Sequence, residues 1–298
     1  MIENAKKPNF FIIGAPKCGT SSLSAYLRDH ADIFFSNPKE PNYFLFDFSD
    51  KQRKVLDEVE YLSLFNDAET EKAIGEGSVW YLYSKVAVSN ILKLNPEAKF
   101  VVMVRNPVDM FVSLYDELFS NFEENATTLL EAWELQDERS RGNLLPAEVR
   151  DPKVLQYGKI CKTGEQVERL LQTVPQEKVL VVFFDDLKQN TRSVYQRVLI
   201  FLNIADDNRA DFPVINKRKK VNHKNLHKFI KFLGKVKRTL KIKKSLNLLN
   251  TLKNQNKKEV GIGHERMSES FRTDLKKYFR EDIQKLSRLT GRDLTHWY

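Results

Sequence analysis

The segment GAPKCGTSS, residues 14–22, constrains this chain more than any other, because it joins a run of buried-strand character to a run of helical character through two glycines. Upstream, NFFIIG at 9–14 is short, apolar and rich in β-favouring residues, and downstream Leu23, Tyr26 and Leu27 recur at helical spacing. A strand, a tight loop and a helix in that order aim backbone N–H groups at one spot, which suits a phosphate. Gly14 and Gly19 allow close backbone approach, Thr20, Ser21 and Ser22 add hydroxyl donors at the helix start, and Lys17 adds a mobile positive charge.

An NTPase loop of the form GxxxxGK[ST] keeps its glycine frame here in Gly14 and Gly19, but Thr20 occupies the lysine position and Lys17 lies inside the loop. The lysine would therefore meet a phosphate from the loop rather than from the helix. A P-loop kinase or NTPase stays open as a rival, with VLVVFFDD at 179–186 as a Walker-B-like strand and magnesium dependence as its signature.

Two further apolar runs, KFVVMVRNP at 99–107 and KVLVVFFDDL at 178–187, follow helical stretches at Val86–Leu94 and around Gly164–Thr173. Residues 107–141 and 191–203 carry apolar positions at helical spacing, consistent with crossover helices. Alternating β and α segments with buried strands predict an α/β fold with a central parallel sheet flanked by helices. No repeat or low-complexity linker divides the 298 residues, so a single domain is expected.

The formal net charge of +9 is unevenly spread: residues 217–258 hold 16 Lys or Arg and no Asp or Glu, leaving 33 basic against 40 acidic residues elsewhere. Such a balance argues for one local anionic partner and makes nucleic acid a poor partner for the protein as a whole. Within that segment Leu226, Phe229, Ile230, Leu233, Val236 and Leu240 share a helical face, which predicts a basic amphipathic helix. It reads first as an ordinary surface helix packed on the core, and otherwise as an acidic-acceptor patch or a membrane-surface element. A non-enzymatic binder of anionic polymers or membranes rests on this segment alone.

No apolar run approaches the roughly 20 residues that a bilayer-spanning helix needs, and MIENAKKPNF lacks a signal-peptide core, so a cytoplasmic location is expected. Cys18 and Cys161 lie too far apart in sequence for a CxxC site, and the histidines show no convincing metal-ligand spacing, so no metal is expected. Cys18 lies in the loop, where the helix field is expected to lower its pKa and leave it open to alkylation.

The loop resembles the 5′-phosphosulfate-binding loop of sulfotransferases that use 3′-phosphoadenosine 5′-phosphosulfate (PAPS), particularly heparan-sulfate-type and bacterial members. Their form, a strand then G-x-x-[KR]-[CSG]-G-T-[ST]-x-L, is met by FIIGAPKCGTSSL. VVMVRNPVDMFVSLYDE at 101–117 resembles the family's 3′-phosphate motif, with Arg105 at the strand end and Ser113 eight residues on. SNPKEPNYFLFD at 36–47 is similar to the segment that carries the family's catalytic base, in which Glu40 is the matching residue. AIGEGSVWYLYS at 73–84 departs from the family's E-K-[ST]-x-x-Y, since Gly77 stands where many relatives have lysine. The runs 179–204 and 286–297 match later segments of the family that look structural.

The resemblance implies a P-loop-like three-layer fold over 1–298, with a basic helical lid or insertion at about 217–258 to which Asn222 belongs. It implies that Lys17, Cys18, Gly19, Thr20, Ser21, Ser22, Arg105 and Ser113 bind PAPS, and that adenosine 3′,5′-bisphosphate leaves without help from a metal. Lys17 would stabilise the leaving phosphate, with Lys17 or else Lys39 serving as the lone cation near the sulfuryl group, and Glu40 would act as base. Lys39, Tyr43, Phe44, Glu76, Trp80 and Tyr81 would line the acceptor cleft, for a hydroxyl or amine acceptor on a glycan or glycoconjugate. An acidic or lipid-linked acceptor would meet 217–258, with peripheral contact to an anionic membrane.

Overall fold

The structure is a computed structural model that describes residues 6–213, 215, 219–221, 257–259 and 267–298. Its elements run β1 (Phe10–Gly14), α1 (Thr20–Arg28), β2 (Ile33–Phe35), α2 (Glu58–Ser63), β3 (Ala73–Gly77), α3 (Ala87–Leu94), β4 (Lys99–Val104), α4 (Pro107–Ser120), α5 (Leu129–Glu134) and α6 (Gln136–Ser140). There follow α7 (Tyr157–Cys161), α8 (Thr163–Leu171), β5 (Val179–Phe183), α9 (Phe184–Gln189), α10 (Thr191–Leu202) and α11 (Glu269–Thr290).

The first five strands form one parallel sheet in the order β2-β3-β1-β4-β5. Parallel neighbours need crossover connections, and helices laid over the sheet bury it, so β1 and β3 are buried throughout. The expected α/β architecture with a central parallel sheet is therefore the observed one.

From β1 the chain moves outward to β2 and β3 on one side, then returns to β4 and β5 on the other. Strand order thus reverses between β1 and β4, where Ile12 lies opposite Val101. In open α/β sheets the crevice beyond the carboxyl ends of strands at such a reversal is where ligands bind. GAPKCGTSS leaves β1 and Arg105 leaves β4 at that crevice.

One local expectation shifts, and two further stretches gain detail. The strand read over 178–187 stops at Phe183, because Asp185 and Asp186 open α9, where carboxylates favour the positive helix end. Both acids are held there: Trp297 Nε1 donates to Asp185 at 3.2 Å and Arg292 to Asp186 at 2.6 Å. The helical stretch read over 107–141 is three helices, α4 to α6. The segment 73–84, which shows no strand pattern, opens with β3 in the middle of one half of the sheet.

At the carboxyl end of the chain, α11 packs along α8 and caps it from outside. Asp282 of α11 accepts from Gly164 N at 2.9 Å and Glu165 N at 2.8 Å, satisfying N–H groups that the first turn of α8 cannot pair internally. Trp297 is buried against this end of the sheet, as its structural reading required.

The chain divides into two units, Met1–Ile215 with Arg266–Tyr298, and Asn216–Glu265. In the second unit the described residues are two short antiparallel strands, β6 (Lys219–Val221) and β7 (Lys257–Glu259), with Lys219 opposite Glu259. The basic helix expected between Leu226 and Leu240, and Asn222, His223 and His227, lie outside the described residues. Among the described residues no helix is long and apolar enough to cross a membrane.

β3 owes its place to a missing side chain, since a Cβ at Gly75 would lie 2.3 Å from the ring of Phe10 on β1. Phe10 is fully buried and has nowhere to move. We expect Gly75→Ala to cost about 1–3 kcal/mol through overpacking, read as a lowered urea midpoint at an unchanged m-value.

Candidate active site

The loop between β1 and α1 takes backbone conformations that few residues tolerate. Gly19, at φ 88°, opens α1 with no side-chain cap among the described residues, a helix start of the kind that suits an anion. Lys17 is itself in the left-handed region at φ 64°, a costly conformation for a side chain of its size. Ser21 and Ser22 are half-buried at the helix start, whereas Thr20 is buried.

Arg105 crosses to this loop from the end of β4. Its guanidinium donates to the Lys17 carbonyl at 3.2 Å, faces Asp109 at 3.8 Å and lies 4.8 Å over the Phe184 ring. Asn106 caps α4 by accepting from Val108 N at 3.0 Å, so the helix starts immediately after the arginine. Asp109, Ser113 and Glu117 then follow at four-residue spacing and share one stripe of α4. One end of the stripe meets Arg105 and the other pairs with the Lys17 ammonium. Ser113 stands between them, so the structure brings the loop, Arg105 and Ser113 to one crevice.

Glu40 reaches the neighbouring strand end from the other side. Its backbone N–H donates to Gly77 O at 3.1 Å, and its carboxylate pairs with Lys39 at 2.7 Å. Lys54 Nζ donates to the Lys39 carbonyl at 2.8 Å, and burial lowers the Lys54 pKa against the opposing pull of Glu40. Arg150 is held by two bonds to Glu123, which raise its pKa, and Glu40 and Glu117 also lie within its field. Glu40 and the Lys17–Glu117 pair thus face a common group of charges. Glu117, Lys54, Arg150 and Phe184 were not legible as site residues, although the four-residue step from Ser113 to Glu117 was a usable signal.

Of the acceptor-lining set, Phe44, Trp80 and Tyr81 are buried and Glu76 is fully buried, whereas Tyr43 and Lys39 are partly exposed. The aromatics pack on one another, with Tyr43 stacked on Tyr61 at 4.6 Å and Phe44 edge-on to Tyr61 at 5.1 Å and to Tyr81 at 5.8 Å. Aromatic spacing in sequence cannot tell a stacking platform from its own support. Gly77 also has a local cause, since its Cβ would lie 3.2 Å from both Phe35 Cζ and Ser24 Oγ, leaving little room for a lysine.

Comparison with known proteins agrees with this geometry. The model of the sulfotransferase domain family matches residues 7–287. Carbohydrate sulfotransferase 15 of Rattus norvegicus is 26% identical over 249 residues, covering 66% of this chain and 44% of that protein. The bifunctional heparan sulfate N-deacetylase/N-sulfotransferase 3 of Homo sapiens is 26% identical over 205 residues, covering 66% of this chain and 22% of that protein. This chain thus spans less than half the length of these curated relatives. A crystal structure of a sulfotransferase from Alicyclobacillus acidocaldarius superposes with a TM-score of 0.73 at 25% identity, covering 98% of this chain and 99% of that one. The chain belongs to the sulfotransferase domain family.

The cysteines depart from expectation. Cys18 is fully buried with its thiol 3.4 Å from Pro16 O, and burial pushes its pKa up to about 12, outweighing Arg105 and Lys17, which pull it down. The helix field that was to activate it loses to desolvation. Burial likewise raises Cys161. Titration of the native protein with a thiol-reactive disulfide at pH 8 should find neither cysteine in the fast phase, and titration in denaturant should find both.

Proposed function

We propose that the protein moves a sulfuryl group from PAPS directly and in line to a hydroxyl or amine, with a glycan as acceptor. The observation that carries this reading is the bond from Arg105 to the Lys17 carbonyl at 3.2 Å. It joins two groups suited to phosphate, a strand-end guanidinium and an uncapped helix start, across the point where strand order reverses. The donor carries phosphates at both its 3′ and 5′ positions, and two such groups fit it better than one.

The residues present are suited to that donor. Arg105 Nε is buried and has no hydrogen-bond partner among the described residues, which leaves part of its fork for an anion. Lys17, Cys18 and Gly19 with Thr20, Ser21 and Ser22 would hold the 5′-phosphosulfate by backbone N–H groups and hydroxyls. Arg105 and Ser113 would hold the 3′-phosphate. The donor, when bound, supplies the activated sulfuryl group. The Lys17 ammonium and the loop N–H groups stabilise charge on the departing phosphate oxygen, while Glu40 takes the acceptor's proton as its oxygen or nitrogen attacks sulfur. Lys39, paired with Glu40, supplies a second cation in place of the one that Gly77 lacks.

The glycan acceptor is supported by the relatives named for carbohydrate and heparan sulfate chemistry. A glycan or glycoconjugate that is acidic or membrane-borne would also engage the basic run at 217–258. Both cysteines are free thiols, in keeping with action in the cytoplasm.

Calorimetric titration with adenosine 3′,5′-bisphosphate, beside 5′-AMP and Mg-ATP, tests the donor site. We expect the bisphosphate to bind tightest and equally well in EDTA and magnesium; preference for Mg-ATP would return the protein to the kinase reading. Fully desulfated heparin, which offers hydroxyls and free amines, tests the acceptor class. On any acceptor turned over, Lys17→Ala and Glu40→Gln should each lower kcat by about a hundredfold or more, while Arg105→Ala mainly weakens bisphosphate binding.

A further inference from the structure

Glu76 is the fully buried carboxylate nearest in sequence to the end of β3, and the chemistry proposed above gives it no part. Three hydroxyls converge on it. Tyr61 Oη donates to Oε1 at 3.2 Å, Ser78 Oγ donates to Oε2 at 2.7 Å, and the Tyr81 hydroxyl lies within the carboxylate's field. Two of these hydroxyls are themselves acceptors. Asn42 N donates to Ser78 Oγ at 3.1 Å and Phe44 N donates to Tyr81 Oη at 3.3 Å. The Asn42 amide therefore ends on the carboxylate through one hydroxyl, and the Phe44 amide ends on a hydroxyl beside it.

That segment needs holding. Glu40 and Asn42 both have left-handed backbone, at φ 60° and 55°, which side-chain-bearing residues adopt at a cost. The direct tie of Glu40 itself to the sheet is its N–H bond to Gly77 O. We propose that Glu76 is a positioning residue whose ionised form, acting through Ser78 and Tyr81, tethers residues 42–44 and thereby sets the placement of Glu40. The inference rests on the reading of Glu40 as base.

The direction of hydrogen bonding makes the tether sensitive to protonation. An ionised carboxylate only accepts, so the hydroxyls point their protons toward it and keep lone pairs free for the two amides. A protonated Glu76 must donate, which turns one of the three hydroxyls round to accept from it and takes the charge assistance from the bonds that the others make. Burial raises the Glu76 pKa to about 7, against the hydroxyls of Ser78, Tyr81 and Tyr61, which lower it. The titratable groups facing it are Tyr61 from α2, Tyr81 after β3, and Lys39 from the loop after β2, with Lys54 also within its field. The tether therefore holds above about pH 7 and loosens below it.

Folding is not endangered by the test variant. The folded pKa lies above the ordinary value of 4.5, so the carboxylate costs stability increasingly as pH rises from 4.5 to 7. Glu76→Gln carries no such cost and, by donating from its amide, mimics the protonated form. We expect the 1H–15N resonances of Asn42 and Phe44 in the full chain to titrate with a midpoint near pH 7, and to lose that titration in Glu76→Gln with bisphosphate affinity unchanged. Ser78→Ala should abolish it at Asn42 alone and Tyr81→Phe at Phe44 alone. Titration that survives in Glu76→Gln, or no titration in the wild type, overturns the tether. Full turnover in Glu40→Gln with the titration intact would instead remove the base reading and leave the tether standing.

Discussion

The turn from β1 into α1 exists only because no side chain stands at Gly14 or Gly19. A Cβ on Gly14 would lie 2.7 Å from Val79 O, and one on Gly19 would lie 2.8 Å from the Phe184 ring, while both residues sit at positive φ. Through that bare backbone the segment after β3 packs against the start of the loop, and α9 packs against the start of α1. The loop is thereby wedged between the carboxyl ends of three strands. Phe184, which closes on Gly19, also carries the guanidinium of Arg105 on its face. The loop and the Arg105 guanidinium are thus fixed relative to each other by packing as well as by the bond between them.

The charges around this loop are paired, and the strength of each pair follows from its burial. Lys17–Glu117, Lys39–Glu40, Arg105–Asp109 and Arg150–Glu123 each keep at least one partner partly open to water. Such pairs contribute about 0–1 kcal/mol each, so a phosphate of higher charge can displace the acids from them. Arg139–Glu124 is different, with both side chains fully buried and Tyr157 donating to the same carboxylate at 2.7 Å. Breaking such a pair costs about 3–5 kcal/mol, which makes it part of the frame. Exposure separates the charges that are available to a ligand from those that are not.

Legibility in the sequence tracked how local each signal was. β1 and β4 announce themselves because strands buried on both faces are apolar runs, half-buried β5 because it is an apolar run of the same kind, and the glycine loop because turn, helix start and lysine are consecutive. β3 is hidden, since AIGEG joins two glycines to an acid and resembles a loop. Its glycines are there for Phe10 and Phe35, and its acid is satisfied by hydroxyls from α2 and from the residues after β3, none of which a local pattern reveals. Cys18 misleads for the same reason, because its position at a helix start is visible and its complete burial is not.

By itself the sequence determined the class of fold, the glycine loop suited to a phosphate and the arginine at the end of a later strand, because strand burial, glycine turns and helix starts are short-range properties of consecutive residues. Only the tertiary structure decided which charges pair across the crevice, that the aromatics beside Glu40 support the site from within, and that Glu76 ends a hydrogen-bond chain. Those outcomes depend on burial and on contacts between elements distant in the chain. Desolvation and hydrogen-bond direction, which set the state of a buried carboxylate or thiol, become defined once the surrounding side chains are in place.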